Sequence, residues 1–218
     1  PLTITANADS KTYGDTKTYG SGSTAFTSSG LVNSETIGSV TLTDTNSGGL
    51  ATAAAGGTYA LTPSSATGGS FTASNYSITY ATGALTVNKA LLGINLNATY
   101  NGTSTYTGTI KTNGLVNSDT VTSVDINSAN VASNATNYIT AVTGTTTGGT
   151  NLLTNYTIYS SANGTATVNN PATTSTNTVT LSAAALTITA NADSKTYGST
   201  KTYGSGSTAF ASSGLVNS

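Results

Sequence analysis

Chemistry on this chain has few residues to draw on, because it contains no histidine, cysteine, methionine or tryptophan. That removes the usual general base, the soft metal ligands and the thiol nucleophile together. A hydrolytic centre would have to pair a Ser or Thr hydroxyl with a lysine or a carboxylate, and Lys89 and Lys111 are the lysines that come nearest to serving. Hydroxyl residues are so abundant that such proximity arises by chance, and the sequence is read as non-enzymatic, with no catalytic residue and no cofactor. The acids Asp9, Asp15, Glu35, Asp44, Asp119, Asp125 and Asp193 are scattered singly. A calcium loop needs several oxygen ligands in one short segment, so no metal site is expected. Asp9, Asp44 and Asp119 are read instead as ends of strands and caps of turns. Lys11 and Lys17 lie near Asp9 and Glu35 in sequence, which raises an internal Lys–Asn isopeptide bond as a candidate. Surface placement of the lysines is the simpler reading.

Two further residue sets could act by binding. Tyr13 and Tyr19, with Tyr197 and Tyr203, sit in glycine-rich stretches and are the candidate surface contacts, where an aromatic face could stack on a sugar. Of six Asn-X-Ser/Thr sequons, Asn101 and Asn163 precede glycine in expected turns and are the candidate glycosylation sites, ahead of Asn75 and Asn155. Only 6% of residues are charged and the net charge is −1, so there is no electrostatic footprint for nucleic acid or anionic lipid. No apolar run is long enough to span a membrane, and the N-terminal residues lack the pattern of a signal peptide.

The elements that position these residues are strands. Leu2, Ile4 and Ala6 alternate with Thr3 and Thr5, Val40 and Leu42 with Thr41, and Leu92, Ile94 and Leu96 with polar neighbours. Tyr76–Tyr80 with Leu85–Val87, and Tyr156–Tyr159 with Ala166–Val168, each read as a hairpin. No segment has a convincing helical period, and frequent glycine works against helices.

The chain also repeats itself. Leu2–Ser34 recurs as Leu186–Ser218 with 31 of 33 residues identical, the differences being Asp15→Ser199 and Thr27→Ala211. Within that period Gly30-Leu31-Val32-Asn33-Ser34-Glu35-Thr36 matches Gly114-Leu115-Val116-Asn117-Ser118-Asp119-Thr120, and Asn75-Tyr76-Ser77-Ile78 matches Asn155-Tyr156-Thr157-Ile158. The expected organisation is one module over residues 2–88, a related one over 89–185, and a partial copy of the first, its opening strands only, over 186–218. Residues 169–176 have linker composition, whereas Asn88-Lys89-Ala90 is a short, stiff junction.

These motifs, with Lys11-Thr12-Tyr13-Gly14-Asp15, Gly57-Thr58-Tyr59-Ala60-Leu61, Gly83-Ala84-Leu85-Thr86-Val87 and Tyr100-Asn101-Gly102-Thr103, resemble the MBG and YDG repeat domains of bacterial surface adhesins. Those adhesins are the large two-partner-secretion and autotransporter proteins related to filamentous haemagglutinin. Asn101 stands where the YDG pattern has Asp. The resemblance implies an all-β fold of tandem small β-sandwich modules, immunoglobulin-like or MBG-like, in an extended rod. It implies a secreted, extracellular stalk or filament on the bacterial cell surface, with weak multivalent glycan binding as the alternative. The partners expected are other copies of the repeat, joined head to tail, and host or matrix glycans. Residues 186–218 are expected to pair with strands equivalent to about 35–88 of the next copy.

Overall fold

The computed structural model describes residues 1–108, 110–160, 167–168 and 179–216. Among the described residues the regular elements are nearly all strands, as the alternation requires, with one α-helical turn at Leu152–Asn155 and three short 3-10 turns. Two sheets form from residues 2–88. The first has the order β3-β1-β6, built from β1 (Leu2–Ala6), β3 (Phe26–Ser29) and β6 (Ile78–Ala81). The second has the order β2-β7-β5-β4, from β2 (Asp9–Thr12), β4 (Ile37–Asp44), β5 (Tyr59–Gly69) and β7 (Gly83–Asn88). Leu2, Ile4 and Ala6 of the first sheet meet Val40, Leu42, Leu61 and Leu85 of the second in one buried apolar cluster. Each comes from the apolar phase of its strand, so burial follows the period-2 pattern.

One expected hairpin is wrong. Strands β6 and β7 do not pair with each other: β6 runs parallel to β1 in one sheet, and β7 runs parallel to β2 in the other. The chain crosses between sheets at Thr82-Gly83, against the parallel crossing of Asn7-Ala8. A Cβ on Gly83 would collide with the carbonyl oxygens of Ala6 and Asn7, so the glycine marks a tight crossing of two backbones rather than a reverse turn.

The next residues repeat this plan. Strand β8 (Ala90–Thr99) is separated from β7 by the single residue Lys89 and is the hub of the third sheet. It pairs antiparallel with β10 (Ile110–Asn113) and parallel with both β13 (Tyr156–Ser160) and β15 (Val179–Ser182), while β14 (Thr167–Val168) pairs with β13 as the expected hairpin. The fourth sheet is β12-β11-β9, from β9 (Thr105–Thr107), β11 (Thr120–Ile126) and β12 (Ile139–Thr145). Residues 169–176 lie outside the described residues.

Strands β16 (Thr187–Ala190) and β17 (Phe210–Ser213) pair from Thr187↔Ser213 to Ala190↔Phe210, the register of β1 with β3 shifted by the repeat. Yet Leu186 and Ile188 are 51% and 63% exposed, whereas their counterparts Leu2 and Ile4 are fully buried. The two strands pair with each other, and their apolar face is exposed.

Candidate functional site

The Lys11–Asp15 segment leaves β2 in a tight turn that points a tyrosine out of the sandwich. Lys11 is buried, and its Nζ donates to the carbonyls of Asp15 at 3.0 Å and Leu50 at 2.8 Å. Burial pushes this ammonium below its ordinary range, against the opposing pull of Asp15. The backbone N–H of Tyr13 donates to Asn88 O at 2.8 Å, and that of Gly14 to Ala51 O at 3.0 Å. With both ends of the turn fixed, the phenol ring of Tyr13 is directed beyond the end of its own sheets.

It enters a socket made by the motif that recurs in the sequence. Val116-Asn117-Ser118-Asp119 is a β-turn with φ of +56° at Asn117 and +62° at Ser118, closed by the Asp119 N–H donating to Val116 O. That left-handed pair is what an Asn-Ser turn tolerates and a β-branched residue would not. Asp119 is 5% exposed and accepts from the hydroxyls of Tyr13 (2.9 Å) and Tyr156 (2.7 Å) and from the N–H of Thr147 (2.7 Å). The Tyr13 and Tyr156 rings meet edge to face with centroids 5.4 Å apart, a favoured aromatic geometry.

Three further contacts cross the same boundary. Asn117 Nδ2 donates to Ala51 O and the Ala55 N–H donates to Asn155 Oδ1, both at 2.9 Å. A Cβ on Gly14 would lie 2.6 Å from a methyl of Val116, so only glycine fits there. Tyr13, Ala53, Ala55 and Val87 consequently belong to one apolar cluster with Leu92, Leu152 and Tyr156. The core is continuous across the Asn88-Lys89-Ala90 junction.

A related but open arrangement follows. Tyr100 occupies the place of Tyr13, its N–H donating to Ser182 O at 2.8 Å as that of Tyr13 does to Asn88 O. It faces Leu215 and Val216, the counterparts of Leu115 and Val116, across a cleft of about 630 Å³ also lined by Val131 and Leu186.

The candidate residues named from the sequence fare differently. Tyr13 is a correction: it is 2% exposed, because the socket covers it, and it is no surface contact in this chain. Tyr19 is half-buried and donates to Asp9 Oδ2 at 2.9 Å, beside the Lys17–Asp9 ion pair at 2.5 Å. Tyr197 and Tyr203 are exposed. Asn101 is exposed in an Asx-turn, accepting from the Thr103 N–H at 2.9 Å, and Asn163 lies outside the described residues. Asn75 is also exposed whereas Asn155 is buried, so these two sequons, alike in sequence, part ways. Produced in a glycosylating secretory pathway, the chain should carry glycan on Asn101 and Asn75 and none on Asn155, as peptide mapping would show. Among the described residues no three acidic groups come together as metal ligands. Lys11 meets carbonyls and Lys17 a carboxylate, neither of them an Asn side chain. Sequence reasoning missed Asp119 as an acceptor of two tyrosines. The signal was available, since its turn and Tyr156 both lie in the internal repeat.

Burial, reinforced by neighbouring carboxylates, raises the hydroxyls of Tyr13, Tyr19 and Tyr156 above the ordinary tyrosine range. Tyr76 is raised by its bond to Glu35 and Tyr106 by burial. A raised tyrosine contributes stability below the unfolded value of about 10 and loses it as pH climbs toward the folded value. The single depressed lysine, Lys11, acts in the opposite sense and is outnumbered. Melting temperature should therefore hold level from neutral pH to about 9 and fall steeply above about 10, and thermal melts across that range would show a flat profile if the hydroxyls were free.

Residues 2–86 match the family model described as MBG domain (YGX type). No curated protein and no solved structure matches the chain. Tyr13-Gly14-Asp15, the turn that carries the buried tyrosine, reads as such a Tyr-Gly-X triplet within the matched residues. Over residues 2–86, less than half of the chain, the sequence is thus similar to the MBG domain of the YGX type, a family of structural repeat domains.

Proposed function

We propose that this chain is part of the stalk of a secreted surface adhesin or extracellular fibre, with two sandwich modules over residues 2–88 and 89–185 and the start of a third over 186–218. MBG domains occur in surface adhesins, which supports the location. The observation that carries the stalk reading is the junction. One tyrosine, two backbone-to-amide hydrogen bonds and a continuous apolar cluster hold one pair of sheets against the next. A hinge would need a longer, more polar connection than the single residue between β7 and β8. A repeat joined rigidly to its neighbour adds reach without adding a new site.

The reading of the chain as a multivalent glycan binder loses its best residue, because Tyr13 is spent on the junction. Immunogold labelling of producing cells with antibody to residues 2–86 is the test. Gold displaced outward from the cell surface along fibres is the expected image, and gold confined to the cell interior would overturn the reading.

A further inference from the structure

Lys11 is a buried ammonium on a strand that does not need one. Its acceptors are the carbonyl oxygens of Asp15 and Leu50, and a lysine is rarely buried so fully, because stripping water from its charge is expensive. The related strand shows what the fold alone requires. Lys11 stands opposite Val87 where β2 runs parallel to β7, and Ala98 stands opposite Leu181 where β8 runs parallel to β15. Two residues on, the Tyr13 N–H meets Asn88 O just as the Tyr100 N–H meets Ser182 O. Alanine therefore makes the same strand pair and the same entry into the turn, so the reason for an ammonium at position 11 lies outside the sheet.

It lies in the two loops that grip the neighbouring sheets. One Nζ bond closes the turn that carries Tyr13, and the other reaches Leu50 O at the start of the loop over residues 50–55. One residue further, Ala51 O accepts from the Gly14 N–H and, across the boundary, from Asn117 Nδ2. At the far end of that loop the Ala55 N–H donates to Asn155 Oδ1. Lys11 thus sits behind both prongs, the Tyr13 phenol on Asp119 and the loop on Asn117 and Asn155. Backbone bonds from Gly14 to Ala51 and from Lys17 to Gly49 also join the prongs, and the ammonium adds a charge-assisted bond, stronger than those between neutral groups. Between β11 and β12 the corresponding loop is held differently: Asn134 exchanges two bonds with the Leu181 backbone, at 2.9 and 2.7 Å, which fastens the loop to β15.

We propose that Lys11 is the positioning residue of the junction, locking the Tyr13 turn and residues 50–55 into one clasp and so setting how stiffly one pair of sheets is held on the next. This rests on the stalk reading and deepens it, since stiffness at a junction is what a shaft transmits.

The chain has no cysteine, so spin labels attach only where cysteines are placed. Thr67 of β5 and Thr143 of β12 are exposed on opposite sides of the boundary, while Thr67 and the exposed Thr86 of β7 lie on the same side. Distances are measured by pulsed electron paramagnetic resonance on the full chain. Lys11→Met keeps the apolar stem and removes both donors. It should broaden the distance distribution of the Thr67→Cys/Thr143→Cys pair several-fold and leave that of the Thr67→Cys/Thr86→Cys pair unchanged. Lys11→Ala, the residue β8 carries at this place, should do the same. Broadening of neither pair, equal broadening of both, or loss of the folded circular dichroism signal in both variants would overturn the proposal. In the last two cases the lysine would be holding its own sheets rather than the junction. The stalk reading would survive each of these results, since gold labelling reads it independently.

Discussion

Replacing Asp119 with alanine should destabilise the chain by about 1–3 kcal/mol, because it leaves the buried Tyr13 hydroxyl without its acceptor, while the Tyr156 hydroxyl keeps the Val116 N–H and carbonyl as partners. Tyr156 loses one of its bonds, and the Thr147 N–H loses its acceptor. At 5% exposure the carboxylate is shielded from bulk solvent. The loss falls on the boundary between the two pairs of sheets, so the change should also uncouple them. Denaturation followed by circular dichroism should pass from one transition to two, with faster amide exchange at Val116 and Thr147. Asp125→Ala is the comparison, since that carboxylate accepts from Thr105 Oγ1 in an exposed position. There the cost should stay under about 1 kcal/mol. Similar losses at the two sites, or a single unshifted transition for Asp119→Ala, would show that the carboxylate does not hold the junction.

The strands were legible because alternation is a local property: Leu2 and Ile4, or Leu92, Ile94 and Leu96, announce their buried face without reference to anything distant. The second sheet's parallel pairings were not, because Tyr76–Val87 has the spacing of a hairpin, and only the crowding of Gly83 against Ala6 and Asn7 shows that the chain changes sheets. Asn33-Ser34 and Asn117-Ser118 were legible only as parts of a repeated motif, while the left-handed turns they form and the consequence of those turns were hidden. Tyr13 and Tyr197 share their neighbours in sequence, so any local rule assigns them the same exposure, yet one is buried and the other is free. The difference is made by residues 103 and more positions away, at Val116, Asp119 and Tyr156. Asn75 and Asn155 part for the same reason.

That pairing of covered and uncovered twins supplies the other large effect. Tyr156→Ala should cost about 3–5 kcal/mol, the range for truncating a large buried aromatic. Its ring is fully buried, packs edge to face on Tyr13, and its hydroxyl both donates to Asp119 and accepts from the Val116 N–H. Tyr76→Ala removes the same side chain from the same motif, but the Tyr76 ring is half-buried, with Phe71 at a centroid distance of 6.3 Å. Glu35 and the Val32 N–H lie where water can replace the lost hydroxyl. The cost there should be about half or less, since partly exposed groups recover solvation when a partner is lost. Phenylalanine at each position isolates the hydroxyl: Tyr156→Phe should still cost about 1–3 kcal/mol, because it leaves Asp119 and the Val116 N–H short of a buried partner, and Tyr76→Phe close to nothing. Urea denaturation of the four variants gives the comparison directly. Equal costs at the two tyrosines would mean that the neighbouring sheets add nothing to the socket they cover, and the junction would then be a contact without consequence for stability.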